Sequence, residues 1–444
     1  MAGIFKAYDV RGKYPDELNE ENAFKVGSAF GKLMKGDKII IGMDARESSP
    51  SLKDSVIKGL YGEGKRIVDI GLCNTPMLYF AVINLKADGG VMISASHNPP
   101  EFNGIKMVKN FNGNILQIGD DSGMKDIEKL AKEIEVKEVE PEVEKTSILN
   151  DYLNEILKKL NKKSGLKIIV DYGNGVGSIS AKPFFERTGF KVISLYSEPK
   201  PDFPNHVPNP HEEKNFNDLI KEVKKRKADL GIFFDGDADR AIPVDENGVI
   251  LRGDILIGIL ALDILKQSKE KNIFYDLRCT HSLPEEIKKA GGNPIAMKVG
   301  NPYYKEKLIN EGGVLGAETS GHMMYKEHYC IDDGLYATVK LINIMLNTGK
   351  KLSELSSPFM KYFKTYEINI KTENKEEKLK MIEKTYSKQG AKISKIDGIT
   401  AEFNDWWFNV RPSNTEDLLR LNLEANTKKL MEEKVKEIEN IINT

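Results

Sequence analysis

Short β-branched runs alternate with helical stretches along most of this chain, and that alternation restricts the fold more than any other feature. The runs are KIIIGM (38–43), RIVDIGL (66–72), GGVMI (89–93), LKIIVD (166–171), FKVISLY (190–196), DLGIFF (229–234) and NIFYD (272–276). Between them lie PSLKDSVIKGLYGEG (50–64), SILNDYLNEILKKLNKK (147–163) and NFNDLIKEVKKRKA (215–228), patterned as helices. Strand–helix–strand order predicts α/β units with mostly parallel sheets. Most of the runs hold continuous apolar stretches rather than strict alternation, which fits burial on both faces.

The pattern changes at two places. The charged segment 125–147 carries little core and predicts a terminal helix followed by a linker. A second break, at 347–367, precedes a different order: YEINIK (366–371), a helix at 375–389, two or three strands, and a last helix at 427–443. VDENGVI (244–250) predicts a hairpin or crossing point around Asn247-Gly248. The expected organisation is three related α/β domains, at 1–146, 147–246 and 247–358, with mixed, mostly parallel sheets, and a C-terminal α+β domain at 359–444.

The 66 basic and 67 acidic residues nearly cancel, so no whole-chain attraction to nucleic acid or anionic membrane is expected. Cys73, Cys279 and Cys330 are far apart and odd in number. They suggest reduced core thiols in a cytoplasmic protein rather than a metal or disulfide framework. The start, MAGIFKAYDVRGKYPDE, lacks the apolar core of a signal peptide. The longest apolar run, ILIGILAL (255–262), is too short to span a bilayer.

Five loops carry candidate chemistry. In SASHNPP (94–100), Ser96 beside His97 reads as a nucleophile or as a turn, with no third triad member nearby. In DGDADR, Asp235, Asp237 and Asp239 alternate directly after an apolar strand. Three carboxylates so close repel unless a cation shares their charge, and hard oxygen ligands select Mg²⁺ or Ca²⁺; a solvated acidic turn is the alternative. Arg240 where an EF-hand loop needs Gly, and strand-like flanks in place of helices, argue against that motif. In VRPSNTEDLL, Arg411, Ser413, Asn414 and Thr415 form either a phosphate cradle or ordinary turn chemistry. In GAETSGHMMY, Glu318, Ser320 and His322 alternate, suited to sugar hydroxyls or to a glycine-flanked hairpin. In AYDVRG, Arg11 reads first as a surface ion pair.

In this order, YDVRG, SASHNPPEFNGIK, DGDADR, AETSGH and RPSNTE resemble the α-D-phosphohexomutase superfamily, its phosphomannomutase/phosphoglucomutase branch above all. Smaller echoes are GMDAR (42–46), NTPMLYFA (74–81), VDYGNGVG (170–177), FPNHVPNP (203–210) and IDDG (331–334). The resemblance spans essentially the whole chain. It implies four domains arranged around a central cleft, carrying in turn the phosphoserine, metal, sugar-recognition and phosphate loops.

The resemblance also implies an isomerase that interconverts hexose 1-phosphate and hexose 6-phosphate, of mannose or glucose, through a hexose 1,6-bisphosphate that also serves as activator. Ser96 matches the phosphoryl-carrying serine; with Asp235, Asp237 and Asp239 it would complete the shell of one Mg²⁺. Arg11 and Arg240 match cations near that phosphate. Lys106, His97 and His322 match polar residues of the reaction centre, the acid and base being left open. Tyr8, Glu318 and Ser320 match substrate contacts, and Arg411, Ser413, Asn414 and Thr415 the binder of the non-reacting phosphate. Phosphoglucosamine mutase is the alternative within the class, and a metal-dependent phosphohydrolase outside it. Two positions depart from the pattern. Asn301 stands where His is frequent, and Asn cannot shuttle a proton. Arg278 replaces a frequent Lys, exchanging a point charge for a planar fork.

Overall fold

The computed structural model describes residues 3–162, 164–413 and 417–443. They form two compact units: Met1–Gly253 with Gly300–Glu354, and Asp254–Val299 with Leu355–Thr444.

The first unit opens with a seven-stranded mixed sheet. Gly89–Ile93, Lys38–Met43 and Arg66–Leu72 run parallel at its centre, while Phe102–Phe111 and Val10–Lys13 add antiparallel on one side. Gly89–Ile93 is buried along its whole length, as its unbroken apolar run required. The helices Glu20–Leu33 and Ser49–Gly62 cross closely on this sheet. A Cβ on Gly27 would strike the Val56 carbonyl, and one on Gly59 the Phe24 carbonyl, so both positions need glycine for the approach. Asn19 caps the first helix by accepting from the Asn22 N–H.

The charged segment holds the expected helix, Lys125–Glu133, but also a strand, Val143–Lys145, paired in parallel with Ile67–Asp69. Backbone bonds at a sheet edge make this strand, so its charged side chains gave no sign of it. A second sheet has the order Ala241–Val244, Leu230–Phe234, Ser164–Asp171, Gly189–Leu195. Its last member lies at an edge and is half exposed, unlike the continuous burial expected of it. The helix expected at 215–228 spans Asn217–Arg226, after a 3₁₀ turn and before Lys227 in the left-handed region (φ 49). The hairpin at Asn247-Gly248 is present: Gly248 has φ +79, and Asp245 Oδ1 accepts from the N–H groups of Asn247 and Val249.

In the second unit, Asn272–Asp276 and Asn293–Met297 pair in parallel. The C-terminal sheet is antiparallel, in the order Phe363–Lys364, Leu418–Ala425, Trp406–Pro412, Ile399–Glu402, Lys392–Ser394, with Ile368–Lys371 also on Leu418–Ala425. Four strands follow the helix Lys375–Lys388 rather than two or three. Tyr386, Phe408, Ile438 and Ile442 fill the core between this sheet and its helices. All three cysteines are buried and free. Among the described residues, no helix is long and apolar enough to cross a membrane.

Candidate active site

Ser96 follows the strand Gly89–Ile93 and has φ 51, a backbone state that costs a non-glycine residue roughly 1–2 kcal/mol. Arg46, fully buried, holds the loop there. Its Nη2 donates to the carbonyls of Ser96 (2.9 Å) and Asn98 (2.7 Å), and its Nη1 to those of Pro99 (2.6 Å) and Phe102 (2.9 Å). Its Nε donates to Asp44 at 3.1 Å. The acidic loop comes so close that a Cβ on Gly236 would fall on the Ser96 carbonyl oxygen.

That acidic loop joins Leu230–Phe234 to Ala241–Val244, with Ala238 in the left-handed region (φ 58). Asp235, Asp237 and Asp239 are almost wholly buried, and each offers a carboxylate oxygen within 4.8 Å of the others. Ser96 Oγ donates to Asp235 Oδ2 at 2.8 Å. Burial raises the Asp235 carboxyl against the pull of Arg240, and Asp239 and Asp237 add to the rise, to about 7. Among the described residues, Oδ1 of Asp237 and Oδ1 of Asp239 are buried without a hydrogen-bond partner. Orphaned carboxylate oxygens beside a carboxyl driven toward neutrality are what a hard divalent cation corrects, so these residues fit Mg²⁺.

Cations surround the cluster. Lys106 Nζ reaches Asp237 (2.5 Å) and Asp239 (2.8 Å). Burial opposes its charge, but the two aspartates outweigh it and raise its pKa well above the usual range. Arg240 donates from Nε and Nη2 to Asp235 Oδ2, and from Nη2 to Ser96 Oγ at 3.3 Å. His97 Nδ1 sits 2.5 Å from Arg240 Nη2 and 3.3 Å from Ser96 Oγ. Burial, then the charges of Arg240 and Arg11, push His97 well below its ordinary value, so it is a neutral acceptor there. Arg11 pairs with Asp9 and donates to Asn98 Oδ1 at 2.8 Å, in the loop that carries Ser96.

A second buried centre adjoins the first. His322 Nδ1 lies 2.9 Å from Asp332 Oδ2 and 3.7 Å from Asp239 Oδ1. Burial works against a charged His322, but Asp239 and the bond to Asp332 raise its pKa. Asn301 Nδ2 donates to Asp332 Oδ2 at 2.9 Å, and Lys305 Nζ to Oδ1 at 2.5 Å. Glu318 Oε1 accepts from the Gly300 N–H (2.7 Å), and Ser320 Oγ donates to Glu318 Oε2 (3.4 Å). Tyr8 packs edge-on against Tyr303, beside Gly300. The first unit thus brings Ser96, His97, Lys106, the three aspartates, Arg240, His322 and Asn301 into one network, with Arg11, Tyr8, Glu318 and Ser320 attached through loop residues.

Arg278, Arg411 and Ser413 belong to the second unit. Arg278 and Arg411 both donate to Glu367. Burial opposes the charge on Glu367, yet Arg278, Arg411 and Arg420 hold it down to about 2. Ser413 N–H bonds the Leu418 carbonyl across the hairpin Trp406–Pro412/Leu418–Ala425. Asn414 and Thr415 lie outside the described residues.

Four family profiles match in sequence: phosphoglucomutase/phosphomannomutase alpha/beta/alpha domains I (residues 2–138), II (150–248) and III (252–363), and the C-terminal domain (367–441). The chain belongs to the phosphoglucomutase/phosphomannomutase family. It is 38% identical to a phosphomannomutase of Methanocaldococcus jannaschii, covering 99% of this chain and 97% of that one. It is 35% identical to a phosphomannomutase/phosphoglucomutase of Pseudomonas aeruginosa, covering 97% and 93%. A crystal structure of a phosphoglucomutase/phosphomannomutase family protein from Burkholderia thailandensis superposes with a TM-score of 0.90 at 30% identity, covering 99% of this chain and 96% of that one. The chain is therefore a phosphohexomutase-type isomerase of carbohydrate metabolism, with three mixed, mostly parallel α/β sheets and a C-terminal antiparallel domain.

Sequence reasoning missed several residues of the site. Arg46, Asp332 and Thr75, whose Oγ1 reaches Asp237 Oδ2 at 2.5 Å, all lie in the short echoes GMDAR, IDDG and NTP. His211, 3.3 Å from Arg240 Nη1, and Glu367 had no motif to mark them.

Proposed function

We propose that this phosphohexomutase acts on mannose or glucose monophosphates through a phosphorylated Ser96. The observation that carries the reading is the seat of Ser96 Oγ: 2.8 Å from Asp235 and 3.3 Å from Arg240, beside aspartates with unsatisfied oxygens. Asp235, Asp237 and Asp239, with an oxygen of the Ser96 phosphate, would hold Mg²⁺, which supplies charge neutralisation at phosphoryl oxygens when bound.

In the forward half-reaction a free sugar hydroxyl attacks the Ser96 phosphorus. Its proton passes to His322 Nε2 as the bond from phosphorus to Ser96 Oγ breaks, and the serine oxygen leaves as an alkoxide facing Arg240 Nη2. Nδ1 of His322 is held by Asp332, which fixes the tautomer and leaves Nε2 for the hydroxyl. Lys106 is a fixed ammonium between two aspartates and serves as an electrostatic partner rather than as the base. Arg240 and Arg11 stabilise charge and loop position. Asn301 shares the Asp332 oxygen with His322, and so orients the base without exchanging protons itself. The resulting hexose 1,6-bisphosphate turns over. The Ser96 alkoxide then takes the other phosphoryl group, and His322 returns the proton to the sugar oxygen that is released.

Glu318 and Ser320 read sugar hydroxyls, with Tyr8 beside them. Arg411 and Ser413, with Arg278 near, receive the non-reacting phosphate. The division at 1–146, 147–246, 247–358 and 359–444 is supported by the four profile matches, whose limits fall close to these boundaries.

Intact-mass spectrometry with peptide mapping tests the mechanism. A phosphate on Ser96, lost on addition of hexose monophosphate and restored by the 1,6-bisphosphate, is expected. Ser96 that stays unmodified during turnover refutes it. Coupled assays with glucose, mannose and glucosamine 1-phosphates test the sugar, and a strong preference for glucosamine 1-phosphate would overturn that choice.

A further inference from the structure

Three arginines of the second unit converge on one carboxylate. Glu367 Oε2 accepts from Arg278 Nη1 (3.0 Å), Arg411 Nη2 (3.2 Å) and Asn422 Nδ2 (3.3 Å), and Oε1 accepts from Arg420 Nη1 (3.2 Å). Arg278 directs Nε and Nη2 to Asp276 as well, an arrangement its planar fork permits and a lysine would not. The Arg411 side chain is 8% exposed, and its Nε is buried without a hydrogen-bond partner among the described residues.

Among these five charged groups, three guanidiniums and two carboxylates leave one net positive charge. A dianionic phosphate arriving at Arg411 would meet donors that Glu367 already holds. A cradle of three unopposed arginines would bind phosphate strongly in ground state and transition state alike, which lowers KM without raising kcat. It would also slow the release that a reorienting intermediate requires.

We propose that Glu367 is an internal competitor for the phosphate-binding arginines, sharing their donors so that substrate phosphate is held loosely enough to exchange. This rests on the reading that Arg411 binds the non-reacting phosphate.

Glu367→Gln tests it in the full chain. The amide oxygen can keep the Oε2 partners, Arg278, Arg411 and Asn422. Its NH₂ then faces Arg420, whose side chain is 28% exposed. Inorganic phosphate, used as a competitive inhibitor, is expected to bind about 10-fold more tightly, with KM for hexose monophosphate falling in parallel and kcat also falling. Glu367→Asp withdraws the carboxylate by one methylene and serves if the Gln variant folds poorly. The expected change has the same sign, at about 3-fold. Disordered arginines would weaken phosphate binding, so an unchanged or raised inhibition constant in either variant overturns the proposal. Arg411→Ala is the control and should weaken phosphate at least about 10-fold. Wild-type inhibition in that variant overturns the cradle reading, and this proposal with it. Weak binding by Arg411→Ala with no tightening in the Glu367 variants overturns the competitor alone.

Discussion

Arg46→Lys isolates how the serine loop is held. Arg46 donates five side-chain hydrogen bonds, four of them to carbonyls of residues 96–102. A lysine has three donors on one nitrogen, so at least two of the five acceptors lose their partner. Each buried acceptor left unmade costs roughly 1–3 kcal/mol, which places the destabilisation at about 2–6 kcal/mol. That matches or exceeds the strain of about 1–2 kcal/mol stored at Ser96 in its left-handed conformation, so the loop is expected to relax. If about 2 kcal/mol of the lost positioning is expressed in the transition state, kcat/KM falls about 30-fold. A coupled mutase assay reads the rate, and urea unfolding reads the stability. Phosphorylation of Ser96 by hexose 1,6-bisphosphate, followed by mass, should slow in step with kcat/KM. A lysine variant with wild-type kcat/KM and an unshifted urea midpoint would show that Arg46 does not hold the loop.

Other perturbations separate the proposed roles. His322→Gln keeps a hydrogen-bonding side chain but removes the base, and kcat is expected to fall about 10²–10⁴-fold with the fold intact by circular dichroism. A loss below tenfold would assign the proton transfer elsewhere. His206 stacks on Phe233 and bonds Asp171 at 3.1 Å. Burial opposes its charge, but Asp171 outweighs it and raises its pKa above the usual 6.5. A raised pKa stabilises the fold fully below the unfolded value, and that contribution is lost as pH rises through the folded one. The gap in urea midpoint between wild type and His206→Gln should therefore narrow between about pH 6 and pH 8. A gap that is constant or widens with pH would refute the ion pair.

The strands Lys38–Met43, Arg66–Leu72, Gly89–Ile93 and Asn272–Asp276 are legible in sequence because each carries a β-branched or apolar stretch that the fold buries at its centre. Val143–Lys145 is not legible, since a charged edge strand is made by backbone bonds to a neighbour that local sequence does not name. The same division holds in the site. Alternating Asp235, Asp237 and Asp239 announce by their repulsion a need for positive charge, and Lys106 and Arg240 supply part of it in the fold. Arg46 and Asp332 look like ordinary loop residues until folding surrounds them with the carbonyls and side chains they serve.

By itself, then, the sequence determined the α/β class, the order of the five loops and the residue types available to the chemistry. Tertiary structure alone decided the partnerships. Ser96 meets Asp235 across 139 residues of chain, and Lys106 meets Asp237 across 131. His322 Nδ1 meets Asp332, while Lys106 is held between Asp237 and Asp239. The physical reason is that charge, tautomer and hydrogen-bond supply at a buried group are set by neighbours within a few ångströms, and those neighbours are chosen by the fold.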